Sequence, residues 1–317
     1  MKDLKYIDFD KVAIILCTKN GEKFLKNQLN SLKLQTFDQY ELFISDDGST
    51  DLTIKVISEF EFENPDILMH LLDGPQAGFA SNFISTLSKI SQLSKTDFSY
   101  YAFCDQDDVW DEIKLEAALK KLSRTNLNNP SLYCGRTRYI DSKGMEVGHS
   151  PYFKKKPSFE NALVQSIAGG NTMVFNKASY ALLLNIDVKE NIVSHDWLLY
   201  LLVTANNGQV IYDRNPYISY RQHEGNIIGS NNSFSQILKR LIFMLNGTYS
   251  LWVKSNLNHI NSDKLSENKI ITIKAFGLLE SKNIFKRFKG LFLSKIYRQT
   301  TFGTITLIVS TALKKIL

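Results

Sequence analysis

Hydrophobic residues in the first 220 positions fall into short β-branched or aromatic runs that alternate with helical patterns. The runs predict strands over Val12–Thr18, Glu41–Ser45, Ile67–Leu72, Tyr100–Cys104, Leu132–Ile140, Thr172–Asn176, Gln209–Tyr212 and Tyr217–Tyr220. The intervening patterns predict helices over Glu22–Leu34, Leu52–Phe60, Phe79–Leu93, Glu112–Ser123, Lys177–Leu184 and His195–Ala205. Gly74-Pro75 and Asn128-Asn129-Pro130 punctuate loops. Strand–helix alternation at this spacing reads as an α/β sandwich around a mostly parallel sheet. After Ser233 the strand patterns fade. Ser235–Asn258 and Leu265–Leu279 read as helices, and Ile284–Leu317 alternates basic and apolar residues. The expected division is therefore residues 1–232 as an α/β domain and 233–317 as a helical C-terminal region. No internal repeat is visible.

With 317 residues, 44% apolar and 22% charged, the chain has the means to build a large core. Its cysteines, Cys17, Cys104 and Cys134, are odd in number and far apart, which argues against a disulfide framework and against zinc-site spacing. The apolar run Val12–Cys17 is shorter than the core of a secretory leader and follows Asp8 and Asp10. No run reaches the eighteen or so apolar residues of a membrane span.

Charge is unevenly placed. Of a net +6, eight basic residues lie in 281–317 (Lys282, Lys286, Arg287, Lys289, Lys295, Arg298, Lys314 and Lys315) with no Asp or Glu, so the first 280 residues carry −2. A near-neutral body with a basic, apolar tail points to an anionic surface for the tail and away from nucleic acid. The stretch Phe302–Leu313 is too short to span a bilayer and fits an interfacial helix; a helix packed back on the body or on a second subunit fits the same letters.

Three polar clusters fall at carboxyl ends of expected strands, where open α/β sheets bind ligands. They are Thr18-Lys19-Asn20-Gly21, Ser45-Asp46-Asp47-Gly48-Ser49-Thr50-Asp51 and Asp105-Gln106-Asp107-Asp108. The third stands out, because three carboxylates within four residues repel one another unless a cation neutralises them. Carboxylate oxygens suit Mg²⁺ or Mn²⁺. A solvated acidic turn, or a cap for the following helix, is the plainer reading. Likewise the second cluster reads as a turn and helix cap, Asp196 as a carboxylate favoured at a helix N-terminus, His223 as a surface histidine, and Trp110 and Trp197 as core.

The order of these elements resembles family 2 glycosyltransferases of GT-A fold. Val-Ala-Ile-Ile-Leu-Cys-Thr-Lys-Asn-Gly-Glu is followed by Gln28, Ser31-Leu32 and Gln35-Thr36, then Ser-Asp-Asp-Gly-Ser-Thr-Asp, then Phe-Cys-Asp-Gln-Asp-Asp-Val-Trp. The resemblance runs from about Val12 to Gly229. The string from Asp105 to Trp110, with His195-Asp196-Trp197 and Tyr220-Arg221-Gln222-His223, resembles the rhamnosyltransferase-like branch. Two departures are Asp111-Glu112-Ile113-Lys114-Leu115, where Leu-Pro-Asn-Lys-Leu is usual, and Glu224, where a small residue is common.

The resemblance implies a Rossmann-like GT-A domain, a divalent metal (Mn²⁺ or Mg²⁺) and an inverting sugar transfer. The donor it implies is a nucleotide-diphosphate sugar, dTDP-L-rhamnose first. The acceptor is a cell-surface polysaccharide or lipid-linked glycan, reached from the inner face of the plasma membrane by a cytoplasmic, peripherally bound enzyme. It also assigns roles. Thr18, Asn20 and Glu22 line the nucleotide pocket, and Asp46 or Asp47 reads the base. Asp105 contacts ribose or the metal shell; Asp107, then Asp108, ligate the metal. Asp196 is the catalytic base, and Arg221 and His223 approach the diphosphate or metal, His223 as a ligand. Trp110, Gly170, Asn171 and Trp197 belong to the acceptor side. The alternatives are a UDP-hexose or UDP-N-acetylhexosamine transferase, a nucleotidyltransferase, and a catalytically inactive binding module.

Overall fold

The structure is a computed structural model that describes residues 11–187, 192–223 and 246–317. Its main sheet has seven strands. These are β1 (Val12–Thr18), β2 (Tyr40–Asp46), β3 (Met69–Asp73), β4 (Tyr100–Asp105), β6 (Ser131–Gly135), β9 (Val174–Asn176) and β10 (Gln209–Asp213), in the order β10-β6-β9-β4-β1-β2-β3. All neighbours pair in parallel except β9, which runs antiparallel to both β4 and β6. A second sheet, β5-β11-β7-β8, is made of β5 (Val109–Trp110), β7 (Arg138–Ile140), β8 (Glu146–His149) and β11 (Ile218–Arg221).

β1 shows why the sheet is a central layer. All seven of its residues are buried. Val12, Ile14 and Leu16 join one hydrophobic cluster, and Ala13, Ile15 and Cys17 join the other. Side chains alternate across a strand, so both faces of the sheet must be covered. On one face lie α1 (Leu25–Lys33), α2 (Thr53–Glu63) and α4 (Lys114–Leu122), through Leu25, Leu29, Leu32, Ile57, Phe60, Leu115 and Leu119. The other face holds α3 (Phe79–Leu93), α5 (Phe159–Ala162), α6 (Lys177–Leu183) and α7 (His195–Ala205). α7 is buried from Trp197 through Val203 without interruption, so it is a central helix with no solvent face.

The C-terminal region is α8 (Thr248–Asn258), α9 (Glu267–Gly277), α10 (Ile284–Ser294) and α11 (Thr301–Ala312). Its Tyr249, Val253, Phe276, Leu279, Leu307, Ile316 and Leu317 belong to the same hydrophobic cluster as α7. The helices are therefore welded to the α/β core rather than tethered to it.

Strand and helix positions agree with the sequence pattern within a few residues, with informative exceptions. The run expected as one strand over Leu132–Ile140 is broken into β6 and β7, which sit in different sheets. The expected start at Thr172 is a 3-10 turn, Gly170–Thr172, and the strand begins at Val174. β5, β8 and α5 have two to four residues each, too few for a period to show. The 232/233 boundary, Glu224 and the first part of the helix expected over Ser235–Asn258 lie outside the described residues.

Because α7 has no solvent face, a truncation in its middle leaves a cavity that cannot fill with water. Leu199, fully buried, is the cleanest site. Leu199→Ala is expected to cost about 2–5 kcal/mol, read as a lowered midpoint in urea unfolding with an unchanged slope.

Candidate active site

Parallel pairing brings the ends of β1, β2, β3 and β4 to one edge. Thr18 stands opposite Asp46, Cys17 opposite Asp105, and Asp46 opposite Asp73. The three polar clusters therefore meet. A cavity of about 640 Å³ opens over this edge, lined by Thr18, Lys19, Asp47, Asp105, Gln106 and Asp107 and also by Gly170, Asn171, Ser194, His195 and Asp196. A second cavity, about 680 Å³, is lined by Asn20, Gly21, Lys23, Phe24, Ser142, Gln222 and His223, and it shares Gln106 and Asp107 with the first.

The acidic turn is the joint between the two sheets. β4 ends at Asp105, and β5 begins at Val109 and pairs with β11. Each carboxylate has a different fate. Asp105 lines the main cavity, and burial, then Asp107 and Asp196, push it up to about 7 against the pull of Lys114. Asp107 lines both cavities, and its Oδ2 lies 2.7 Å from Nε2 of His223. Asp108 is fully buried and lines neither. Its Oδ2 accepts from the Asn171 amide at 2.5 Å and its Oδ1 from the Arg221 backbone N–H at 3.1 Å. Burial and then the neighbouring carboxylates push its pKa well above the ordinary range. The expected metal role of Asp108 is thus corrected: both oxygens are spent inside the protein.

Arg221 is turned away from the cavities as well. It is 2% exposed; its Nε donates to the Asp107 carbonyl, its Nη1 to the Asp141 and Ser142 carbonyls, and its guanidinium lies over the Phe24 ring at 4.7 Å. It braces the acidic turn. His223 packs on the same ring, centroids 5.0 Å apart. Phe24 was not singled out by the sequence pattern, where it reads as an ordinary apolar position.

The loop after β1 divides its roles. Thr18 lines the main cavity while its hydroxyl donates to Asp46. Asn20 lines the second cavity and holds the β2 loop, its Oδ1 accepting from Thr50 N–H. Its φ of 50° is the left-handed conformation that asparagine tolerates. Glu22, expected in the nucleotide pocket, is exposed, lines neither cavity and accepts from Leu52 N–H at the start of α2. Asp46 also sits behind the wall. Its oxygens take the Thr18 and Ser49 hydroxyls and the Gly48 and Ser49 N–H groups. Asp47 is the one that faces the cavity, accepting from Gln76 N–H at 2.6 Å. Gln106 clamps the β1 loop by two hydrogen bonds to the Lys19 backbone, and a Cβ on Gly21 would collide with it.

Asp196, which lines the same cavity, opens α7. Its Oδ1 accepts from Trp197 N–H at 2.5 Å and from the Ser194 hydroxyl. Burial pushes its pKa up to about 6, against those backbone donors. His195 stacks on Phe83 at 3.9 Å and meets Phe103 edge-on; burial pulls its pKa down to about 3, so it is neutral. Gly170 is needed beside it, since a Cβ would fall 2.3 Å from His195 Nε2. Gly170 and Asn171 line the cavity as expected. Trp110 and Trp197 do not: both are buried, Trp197 donating to the Ala162 carbonyl and stacking on Tyr249. Under Trp110 lies an unforeseen residue, Lys114. It is 1% exposed, its Nζ 3.0 Å from the Trp110 ring centroid and 2.7 Å from the Asn171 carbonyl oxygen. Burial lowers its pKa to about 7. A lysine at the first residue of a helix opposes the dipole, and that was the available signal.

Among the described residues no three His, Cys, Asp or Glu side chains form a ready metal cage. The Asp107–His223 pair, with Asp105 on the same wall, is still an oxygen-rich donor set open to a cavity. That fits Mg²⁺ or Mn²⁺, which take one or two protein carboxylates and fill the rest of their shell from water and phosphate.

Three comparisons bear on this geometry. Residues 13–183, over half of the chain, match the sequence profile described as glycosyl transferase family 2. A dTDP-rhamnosyl transferase of Shigella flexneri, RfbG, is 30% identical over 266 residues, which is 80% of this chain and 88% of that protein. Among solved structures, residues 1–349 of S. aureus TarS with UDP-GlcNAc superpose with a TM-score of 0.53 at 15% identity, covering 90% of this chain and 89% of that one. The Pyrobaculum calidifontis mannosyltransferase PcManGT, with GDP-Man and Mn²⁺, superposes at 0.50 and 13% identity, covering 96% and 86%. These likenesses agree with the GT-A fold.

The buried half of the acidic turn makes a stability prediction. Asp108→Ala strands the Asn171 amide and the Arg221 N–H, and it should cost about 1–3 kcal/mol for each donor left unpaired. Thermal unfolding of the purified variant checks it, with an undiminished melting temperature as the contrary result.

Proposed function

The chain belongs to glycosyltransferase family 2, and on that footing we propose that it transfers L-rhamnose from dTDP-L-rhamnose, with inversion, onto a hydroxyl of a cell-surface polysaccharide or lipid-linked glycan. The observation that carries the reading is one cavity lined by Asp105, Asp107 and Asp196 together. The choice of donor is supported by the likeness to RfbG across four-fifths of the chain. Membership in the family removes the nucleotidyltransferase alternative. The UDP-sugar alternative is decided by experiment.

In this reading Asp47 accepts a hydrogen bond from the base of the nucleotide. Gln106 fixes the β1 loop against the acidic turn. Asp107 and His223 would hold Mn²⁺ or Mg²⁺, with Asp105 beside them, and the ion would supply positive charge where the leaving diphosphate becomes more negative. Asp196, lining the same cavity, takes the proton of the attacking hydroxyl. A buried carboxylate with a pKa of about 6 is ionised at neutral pH and remains basic enough for that work. Direct displacement by that hydroxyl inverts the anomeric centre. His195 cannot serve as the base, because both ring nitrogens are buried.

Donor hydrolysis measured over a panel of nucleotide sugars tests the assignment. Turnover of dTDP-L-rhamnose is expected to exceed that of UDP-glucose and UDP-N-acetylglucosamine, to be lost in EDTA and restored by Mn²⁺, and to be lost in Asp107→Ala. Preference for a UDP-sugar overturns the donor, and full activity in EDTA overturns the metal.

The base has its own test. Below pH of about 6 Asp196 binds a proton and cannot accept another, so kcat/KM should fall by about tenfold or more per pH unit on the acid side. Asp196→Asn should bind donor normally while turnover drops by roughly two orders of magnitude or more. Near-native turnover with weakened donor binding would assign Asp196 to the donor instead.

A further inference from the structure

The last two helices are built inside out. In α10 the positions packed against the body are Arg287, Gly290 and Ser294, while Phe285 and Phe292 are 82% and 80% exposed and Phe288 shares their stripe. α11 repeats the arrangement. Gly303, Thr306, Ser310 and Thr311 face inward with Leu307, and Phe302, Ile305, Val309 and Leu313 face outward. The spacings 285, 288, 292 and 302, 305, 309 each mark one helical face. A helix on a water-facing surface turns its apolar stripe to the core and its small polar residues out; here the order is reversed twice.

The inward faces are locked, so the helices cannot roll over. A Cβ on Gly290 would lie 2.7 Å from the Ala275 carbonyl oxygen. Arg287, 7% exposed, donates through Nε and Nη2 to the Thr311 and Ala312 carbonyls at the end of α11, and through Nη1 to the Ser281 and Lys282 carbonyls ahead of α10. Small residues at a helix contact with apolar side chains turned outward is the arrangement of helices that meet lipid.

The surrounding charge selects the lipid. Lys282, Lys286, Lys289, Lys295 and Lys314 are exposed in a segment with no acidic residue. A second copy of this chain would bring these exposed lysines against their own like. Among the described residues no helix is long and apolar enough to cross a membrane. We propose that α10 and α11 form an interfacial docking surface for an anionic lipid bilayer, with Phe285, Phe288, Phe292, Phe302, Ile305 and Val309 entering the headgroup region and the lysines meeting lipid phosphates. The surface is independent of the reaction assigned above.

Deleting the tail is not the test, because Leu307, Ile316 and Leu317 belong to the main core. The full chain and a Phe285→Ser/Phe292→Ser variant are instead compared by co-sedimentation with phosphatidylcholine vesicles, with and without phosphatidylglycerol. The parent should bind only the anionic vesicles, less so at high salt, and the variant roughly tenfold or more weakly. Its melting temperature and donor hydrolysis should match the parent's, since the lost side chains are exposed. Failure of the parent to bind anionic vesicles at low salt overturns the proposal, as does equal binding by the variant. So does a parent that is dimeric in solution while the variant is monomeric, which would show that a second copy covers the face. None of these outcomes touches the hydrolysis assay, so the transferase reading stands or falls separately.

Discussion

The structure turns on how three carboxylates are kept within four residues at the end of a buried strand. Left in an apolar seam, Asp105, Asp107 and Asp108 would repel one another and be poorly solvated. The fold separates them. Asp108 points inward and is satisfied by the Asn171 amide and the Arg221 N–H. Asp107 and Asp105 point to the cavity, where His223 already meets Asp107. Behind them lies the buried Lys114, its Nζ over the Trp110 ring and donating to the Asn171 carbonyl. β5, β11, the 3-10 turn at Gly170–Thr172 and the start of α4 all converge on this one turn. A substitution in any of them therefore reaches the site without touching a ligand.

Asp196 is held by a different means. It is mounted at the start of α7, a helix buried on every side and fixed by packing together with the hydrogen bonds of Trp197 to the Ala162 carbonyl and of Tyr200 to Ser158 and Asn161. His195 beside it serves as a neutral aromatic plate between Phe83 and Phe103. The acidic turn and Asp196 share the Gly170–Asn171 turn, where Asn171 meets Asp108 and Lys114 and the Gly170 backbone steadies Asp196. A displacement reaction needs its groups held at a constant separation.

Much of this was legible from residue order. Parallel strands buried on both faces are continuous apolar runs, so β1, β4 and α3 could be placed to the residue or nearly so, and their polar ends named the site. Side-chain direction was not legible. Asp46 and Asp47 are neighbours in a turn, yet one is consumed by four donors and the other faces the cavity. The same holds for Asp107 and Asp108. Arg221, Trp110, Trp197 and Glu22 have the chemistry expected of ligand contacts, but a guanidinium can equally satisfy backbone carbonyls and an indole can pack as core. β5 escaped notice because two residues carry no period, although its pairing with β11 is what orients the acidic turn.

The C-terminal region carries the same lesson at larger scale. Its basic, apolar composition supported either a surface-binding helix or one packed on the body, and these looked like rivals. The packed reading holds for one face of each helix, and the opposite faces are left exposed. Glycine, serine and threonine contribute little to a hydrophobic period, so the letters alone show which residues are apolar and not which way they point. Only the neighbours decide that: Arg287 closing on the Thr311 and Ala312 carbonyls, and Gly290 against Ala275, hold the small face inward. Once that face is fixed, the exposure of Phe285 and Phe292 on the opposite side of the helix follows from geometry.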